Sequence, residues 1–94
     1  MPTYIVLGRL TTQSKRNPVE SLKSRDQLFA EYQKKGVKFT AYSTVGPYDV
    51  VQIVEAPSEE LMMKYLMGAG ASGNIDTVTM RAFSQQEGDK LRVA

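Results

Sequence analysis

The sequence predicts one small α+β domain in which four strands and two helices follow one another in the order βαββαβ. Three observations predict it: strand-like apolar runs near both ends of the chain, two segments with helical spacing of apolar residues, and a Gly46-Pro47 reversal between two further apolar stretches. This order is typical of the ferredoxin-like fold, a four-stranded antiparallel sheet with both helices on one face.

The first part of the chain supplies a strand and a helix. Residues 3–10 are rich in Tyr, Ile, Val and Leu, as in a central strand that is covered on both faces. A helix is predicted over residues 21–35, and its start is left open because either Asn17 or Ser24 could cap it. The apolar stripe of this helix consists of Leu28, Phe29 and Tyr32.

The middle of the chain is predicted to form an antiparallel hairpin. Residues 37–45 alternate between apolar and polar side chains, which is typical of a strand with one buried face. After the Gly46-Pro47 reversal, residues 48–55 supply the partner strand.

A second helix and a last strand complete the domain. Ser58 can cap that helix, and two acidic residues follow it in the first turn. The apolar stripe of this helix consists of Leu61, Met62, Tyr65 and Leu66. The glycine-rich run 68–73 has the letters of a dinucleotide-binding fingerprint, but it leaves a helix and enters a strand, which is the wrong context. It is therefore interpreted as a helix end and a connection to the strand at residues 74–84.

Placing both helices on one face leaves the other face of the sheet open. The alternation along the strands predicts a mixed composition for this open face. It is too apolar to be fully exposed to solvent and too polar to form an apolar core, so we expect another surface to cover it. The side chains assigned to it are Thr40, Tyr42, Thr44, Val50, Gln52, Val54, Thr77, Thr79, Arg81 and Phe83, with Arg9 as a further member.

The run Gly46-Pro47-Tyr48-Asp49, followed by an apolar strand that ends in Val54-Glu55-Ala56-Pro57, resembles the GYD domain family. The opening strand Tyr4-Ile5-Val6-Leu7 and the segment 73–83 extend this resemblance over most of the chain. It implies a dimeric α/β barrel made by two sheets face to face, and therefore a homodimer or a higher even oligomer. It implies no specific activity.

The resemblance divides the chain into a domain at residues 1–84 and a C-terminal segment at residues 85–94. That segment has no apolar period, one glycine and alternating charges. It is predicted to be a flexible tail or an arm that reaches another subunit.

Composition excludes several classes of function. The chain has no Cys and no His, which excludes disulfides, thiolate or imidazole metal ligands and His-dependent nucleophiles. We therefore expect no metal and no cofactor. A net charge of +2 gives no indication of nucleic-acid binding. No apolar run approaches the roughly 20 residues of a membrane span and no secretory signal is visible, so the expected location is cytoplasmic and away from membranes.

Seven residues are candidates for a ligand site. Burying an arginine among hydroxyl side chains on a covered sheet costs free energy unless its guanidinium pairs with an anion or a carboxylate. The alternative for Arg81 is a structural ion pair with Asp49 or Glu55 of a partner subunit. Asp49 itself is also explained as a turn residue that accepts backbone N–H groups. The candidates are Arg9, Tyr42, Tyr48, Asp49, Gln52, Thr79 and Arg81.

Three hypotheses about function follow from these residues. The first is a non-catalytic homo-oligomeric module that holds a small anionic or aromatic metabolite at the sheet face. The second is a cofactor-independent enzyme that uses Asp49 or Tyr42 as acid or base, although it lacks the histidine that such sites exploit near neutral pH. The third is an assembly protein whose interior is filled by side chains.

Overall fold

A computed structural model describes all 94 residues and confirms the predicted α+β, ferredoxin-like architecture. The sheet has the strand order β2-β3-β1-β4, and every neighbouring pair is antiparallel. The elements are β1 (Thr3–Leu10), α1 (Thr12–Arg16), α2 (Pro18–Lys34), β2 (Lys38–Ser43), β3 (Val50–Glu55), α3 (Glu59–Ala71), β4 (Ile75–Ala82) and α4 (Gln85–Val93).

Strand β1 is central, as its composition predicted. It lies between β3 and β4, and its inward side chains are buried while the outward ones are half-buried up to Leu7. This burial on both sides explains why residues 3–10 show an almost continuous apolar run instead of a clean alternation.

Helix α2 begins at Pro18, three residues before the predicted start, and a short helix α1 precedes it. Asn17 occupies the N-cap position of α2 but makes no side-chain capping bond to it, and its Nδ2 group donates to the Gln13 oxygen at 3.1 Å. Pro18 suits the first position of α2 because the N–H that proline lacks has no acceptor within the helix there. Helix α1 was not predicted, since its five residues have no apolar stripe. Its N-terminus is held by Thr11, whose hydroxyl oxygen accepts the N–H of Ser14 at 3.2 Å.

Helix α3 begins as predicted and ends later than predicted. The Ser58 side chain accepts the N–H of Leu61 at 3.1 Å, which confirms Ser58 as the N-cap. The helix then continues through Gly68 and Gly70 to Ala71, so residues 68–71 of the glycine run 68–73 are helical. Gly73 has a φ of 74°, a left-handed conformation that suits glycine at a helix end.

The core lies between one face of the sheet and helices α2 and α3. The rings of Phe29 and Phe39 stack at 4.5 Å between centroids, and Tyr32 meets the edge of Tyr65 at 5.6 Å. Only 12 of the 94 residues are buried, so this core is small even for a chain of this length. Its main members are Tyr4, Val6, Tyr32, Val37, Val54, Ala56, Met62 and Tyr65.

The C-terminal segment, for which the lack of an apolar period predicted a flexible tail or an arm, forms helix α4. Ser84 and Glu87 make a reciprocal capping box at its start, which explains how a helix forms without an apolar stripe. None of its residues is buried. The boundary at residue 84 and the flexibility of the segment stay predictions.

No helix of this fold combines the length and the apolar character that crossing a membrane requires.

Candidate functional site

The pairing register corrects the predicted faces of β3 and β4. Arg81 lies opposite Tyr4 and Thr79 opposite Val6 on β1. Because directly paired residues share a face and Tyr4 and Val6 belong to the core, both β4 side chains lie on the helix side. The side chains that the prediction wrongly placed on the open face are Val50, Gln52, Val54, Thr77, Thr79 and Arg81.

The open face of the sheet is instead predominantly apolar at its centre. Ile53, Val78 and Met80 are 39 %, 50 % and 45 % exposed, which is unusual for side chains in the middle of a sheet. The register arranges this surface as two rows of paired side chains across all four strands. One row is Tyr42, Val51, Leu7 and Val78, and the other is Thr40, Ile53, Ile5 and Met80.

Charged side chains lie only at the two ends of this open face. Lys38 is opposite Glu55 at one end, and Arg9 is opposite Asp76 at the other. Each end therefore carries one cation and one anion. An apolar centre with a polar rim is the usual composition of a protein interface.

Arg81 is satisfied within its own chain. Its guanidinium donates to the backbone oxygens of Thr3 and Ala82, and it lies over the ring of Phe83 at 4.4 Å. The predicted carboxylate or anionic partner is therefore not needed to explain this side chain. Thr79 lies two residues before Arg81 on the same face, and Val6 of β1 lies between Thr79 and Gln52.

The loop at residues 44–49 is fixed to the end of β1 by three hydrogen bonds. The Asp49 carboxylate accepts the N–H of Leu10 at 2.8 Å, and the N–H of Asp49 donates to the Gly8 oxygen at 2.9 Å. Arg9 Nε donates to the Pro47 oxygen at 2.8 Å, and its guanidinium lies 4.8 Å from the centre of the Tyr48 ring. Asp49 thus accepts a backbone N–H beside the turn, as its alternative explanation expected, and Tyr48 packs against the guanidinium of Arg9.

A cavity of about 540 Å³ opens on the opposite side of the sheet, between the strands and helices α2 and α3. We call it the helix-side cavity. Gln52 and Tyr65 line its polar part, and Leu28 and Phe29 of α2 line its apolar part. Of the predicted site residues, Tyr42, Asp49 and Gln52 border this cavity.

Tyr65 and Gln52 form a buried hydrogen bond in this cavity. The Tyr65 hydroxyl donates to Gln52 Oε1 at 2.7 Å. Burial raises the pKa of Tyr65 to about 12, although the hydrogen bond with Gln52 opposes the shift, so the hydroxyl keeps its proton at neutral pH. The Nε2 group of Gln52 has no hydrogen-bond partner in the protein although the residue is only 5 % exposed.

Tyr65 is the site residue that sequence reasoning missed. Its position in the apolar stripe of α3 indicated a core residue, which is correct, but the buried Gln52 that needs a partner was assigned to the wrong face. The sequence signal was the glutamine in an otherwise apolar strand, Val50-Val51-Gln52-Ile53-Val54. No group of three or more acidic side chains that could hold a metal ion is present.

Comparisons with known proteins identify a family and a relative of similar length. The GYD domain model matches residues 4–91. A protein of Thermus thermophilus, the glutamine synthetase and cystathionine beta-lyase binding protein, is 31 % identical over 84 residues, which cover 87 % of this chain and 88 % of the relative. No solved structure matches the chain significantly. With a domain match over nearly its whole length and a relative of similar size, the chain belongs to the GYD domain family.

Proposed function

We propose that this chain is a non-catalytic protein-binding module that forms a homodimer through the open face of its sheet. The observation that carries this proposal is the pair of rows across that face, in which six aliphatic side chains lie next to one another without a covering helix. Contiguous apolar patches of this kind mark protein interfaces in soluble domains. The six are Ile5, Leu7, Val51, Ile53, Val78 and Met80.

The charges at the ends of the open face favour a second copy as the partner. Each end carries one cation and one anion, so a two-fold rotation can bring opposite charges together at both ends. Isologous dimers need a surface that is complementary to itself in this way.

The exposed area is consistent with such a dimer. The chain exposes 6524 Å², whereas a compact monomer of 10.5 kDa exposes about 5,400 Å². Helix α4 contributes part of this excess. Covering the rest of the excess takes only an interface of ordinary size, because a standard interface buries about 800 Å² on each partner.

The partners of the module are proposed from its relative. The Thermus protein is named for binding glutamine synthetase and cystathionine beta-lyase. We expect the dimer to bind enzymes of these two kinds in its own organism, with the helices and α4 exposed to the enzyme because the open faces are used between the two copies.

Native mass spectrometry of two methionine variants tests the dimer. Met80 lies on the open face and Met67 on the exposed side of α3. Met80→Glu should weaken dimerisation by about a hundredfold or more, because it puts an unpaired carboxylate in an apolar interface. The matched control Met67→Glu should leave it unchanged. A monomeric parent protein, or equal effects of the two changes, would contradict the proposal.

A binding measurement with the two purified enzymes tests the partners separately. Surface plasmon resonance with the parent dimer should detect saturable binding to at least one of the enzymes. Absence of binding to both would reject the enzyme partners and leave the dimer to be decided by mass spectrometry.

A further inference from the structure

We propose that the helix-side cavity binds a small molecule that has an aromatic or branched aliphatic body and a carbonyl or carboxylate oxygen. The cavity lies on the other side of the sheet from the proposed dimer interface. The inference therefore does not depend on the proposed function, and the two sites can be occupied at the same time.

The size of the cavity is in the range of small-molecule sites. Its volume is about 540 Å³, and ligand pockets usually measure about 300–1,000 Å³.

The chemistry of Gln52 decides which ligand atom fits. The Oε1 atom is already taken by the Tyr65 hydroxyl, so the free part of this amide is its Nε2 donor group. The Tyr4 hydroxyl is the only fully buried side-chain polar atom without a partner, so the Nε2 group keeps some accessible surface and can be reached from the cavity. A ligand oxygen can accept a hydrogen bond from Nε2, whereas a ligand amine offers no acceptor once it is protonated.

The apolar side chains that line the cavity indicate an apolar body for the ligand. Leu28 and Phe29 of α2 and Val50 of β3 present apolar surface beside the Gln52 amide. The Phe29 ring is held in place by its stacking on Phe39. An aromatic or branched apolar body buries this surface without leaving polar groups unpaired.

Basic side chains at the border of the cavity favour a neutral or negatively charged ligand. Lys15 borders the cavity and has no carboxylate within ion-pair distance, while Arg25 pairs with Asp26. Glu31 and the Asp49 carboxylate are the acidic groups among the lining residues, and Asp49 already accepts the Leu10 N–H. A carboxylate ligand can therefore place its charge towards Lys15.

The first experiment is a titration of the ¹⁵N-labelled protein followed by NMR. The probes are phenylacetate, phenylacetamide and 2-phenylethylamine, which share a ring and differ in the polar group. Phenylacetate and phenylacetamide should shift the signals of the Gln52 side-chain amide and of its neighbours in β3, and 2-phenylethylamine should not. Shifts confined to the open face, equal shifts with all three probes, or no shifts with any would overturn the proposal.

Two matched substitutions then test the donor. Gln52→Leu keeps the side-chain size and removes the amide, so the affinity for phenylacetamide should fall about tenfold. The control Gln33→Leu makes the same change on the exposed surface of α2, outside the cavity, and should have no effect. Equal affinity of both variants would overturn the assignment of Gln52.

A second variant keeps the test decisive if Gln52→Leu folds poorly. Ala41 is an exposed residue of β2 that is paired with Gln52 and lines the cavity. Ala41→Leu should fill the space beside the Gln52 amide and abolish binding, while dimerisation stays unchanged because the opposite face is untouched. Unchanged binding to Ala41→Leu would overturn the location of the site.

Discussion

The Tyr65 hydroxyl donates a hydrogen bond of 2.7 Å to Oε1 of Gln52 and so joins helix α3 to strand β3 inside the core. Both side chains are almost fully buried. In a core of few residues, this bond fixes the position of the helix on the sheet by a directional contact, which apolar packing alone does not provide.

Two tyrosine-to-phenylalanine changes should have different effects on stability. Tyr65→Phe leaves Gln52 Oε1 without its donor and should lower the free energy of unfolding by about 1–2 kcal/mol. Tyr4→Phe removes a buried hydroxyl that has no partner, so it should leave the free energy unchanged or raise it. Urea denaturation at one fixed protein concentration measures both, since the proposed dimerisation would contribute to the apparent stability. Equal destabilisation would contradict the assigned hydrogen bond.

Two glycines near the end of α3 should also respond in opposite directions. Gly70 is helical and a Cβ there would meet no atom within 4 Å, so Gly70→Ala should stabilise the protein by up to about 1 kcal/mol. Gly73 has a φ of 74° and a Cβ there would come within 3.2 Å of the Gln13 side chain, so Gly73→Ala should destabilise it by about 1–2 kcal/mol. Thermal unfolding of the two variants checks the pair, and a stabilising Gly73→Ala would reject the left-handed helix end.

Helix α4 should lose helicity in acid. The backbone N–H of Ser84 donates to the Glu87 carboxylate and lowers the pKa of this group from its ordinary value of 4.5. A lowered pKa means that the carboxylate stabilises the capped helix fully above pH 4.5 and that this contribution is lost as the pH falls through the lowered pKa. NMR chemical shifts of residues 85–93 during an acid titration measure the loss.

The matched variant for this titration is Glu87→Gln, which keeps a capping-box side chain without a titrating group. Its α4 signals should show no transition attributable to residue 87. An identical transition in both proteins would show that Glu87 does not control the helix.

The order of the elements could be predicted because the apolar pattern of each segment is local. The run at residues 3–10 and the cap at Ser58 depend on neighbours in the sequence, and both are confirmed. The faces of β4 could not be predicted from the same pattern. Val78 and Met80 are the more apolar side chains of that strand and were assigned to the core. Thr79 and Arg81 lie on the core side instead, because they pair with Val6 and Tyr4. Binary patterning assumes one apolar surface for each strand, and this strand has its apolar side chains on the open face.

The sequence predicted some residues of the candidate site but not the partners that they contact. Asp49 and Gln52 were named from the sequence, but their partners Leu10 and Tyr65 come from a neighbouring strand and a helix 13 residues away from Gln52. The cavity depends on the distance between α2 and the sheet, which no local sequence pattern encodes.

Strand β3 carries both proposed binding surfaces on alternate residues. Gln52 points into the helix-side cavity, while Val51 and Ile53 on either side of it point to the open face. Inserting a single residue after Val51 would reverse every following side chain of the strand, so that Gln52 would point to the open face and Ile53 to the helix side. Natural and engineered variation in this strand should therefore tolerate many substitutions and no change of length.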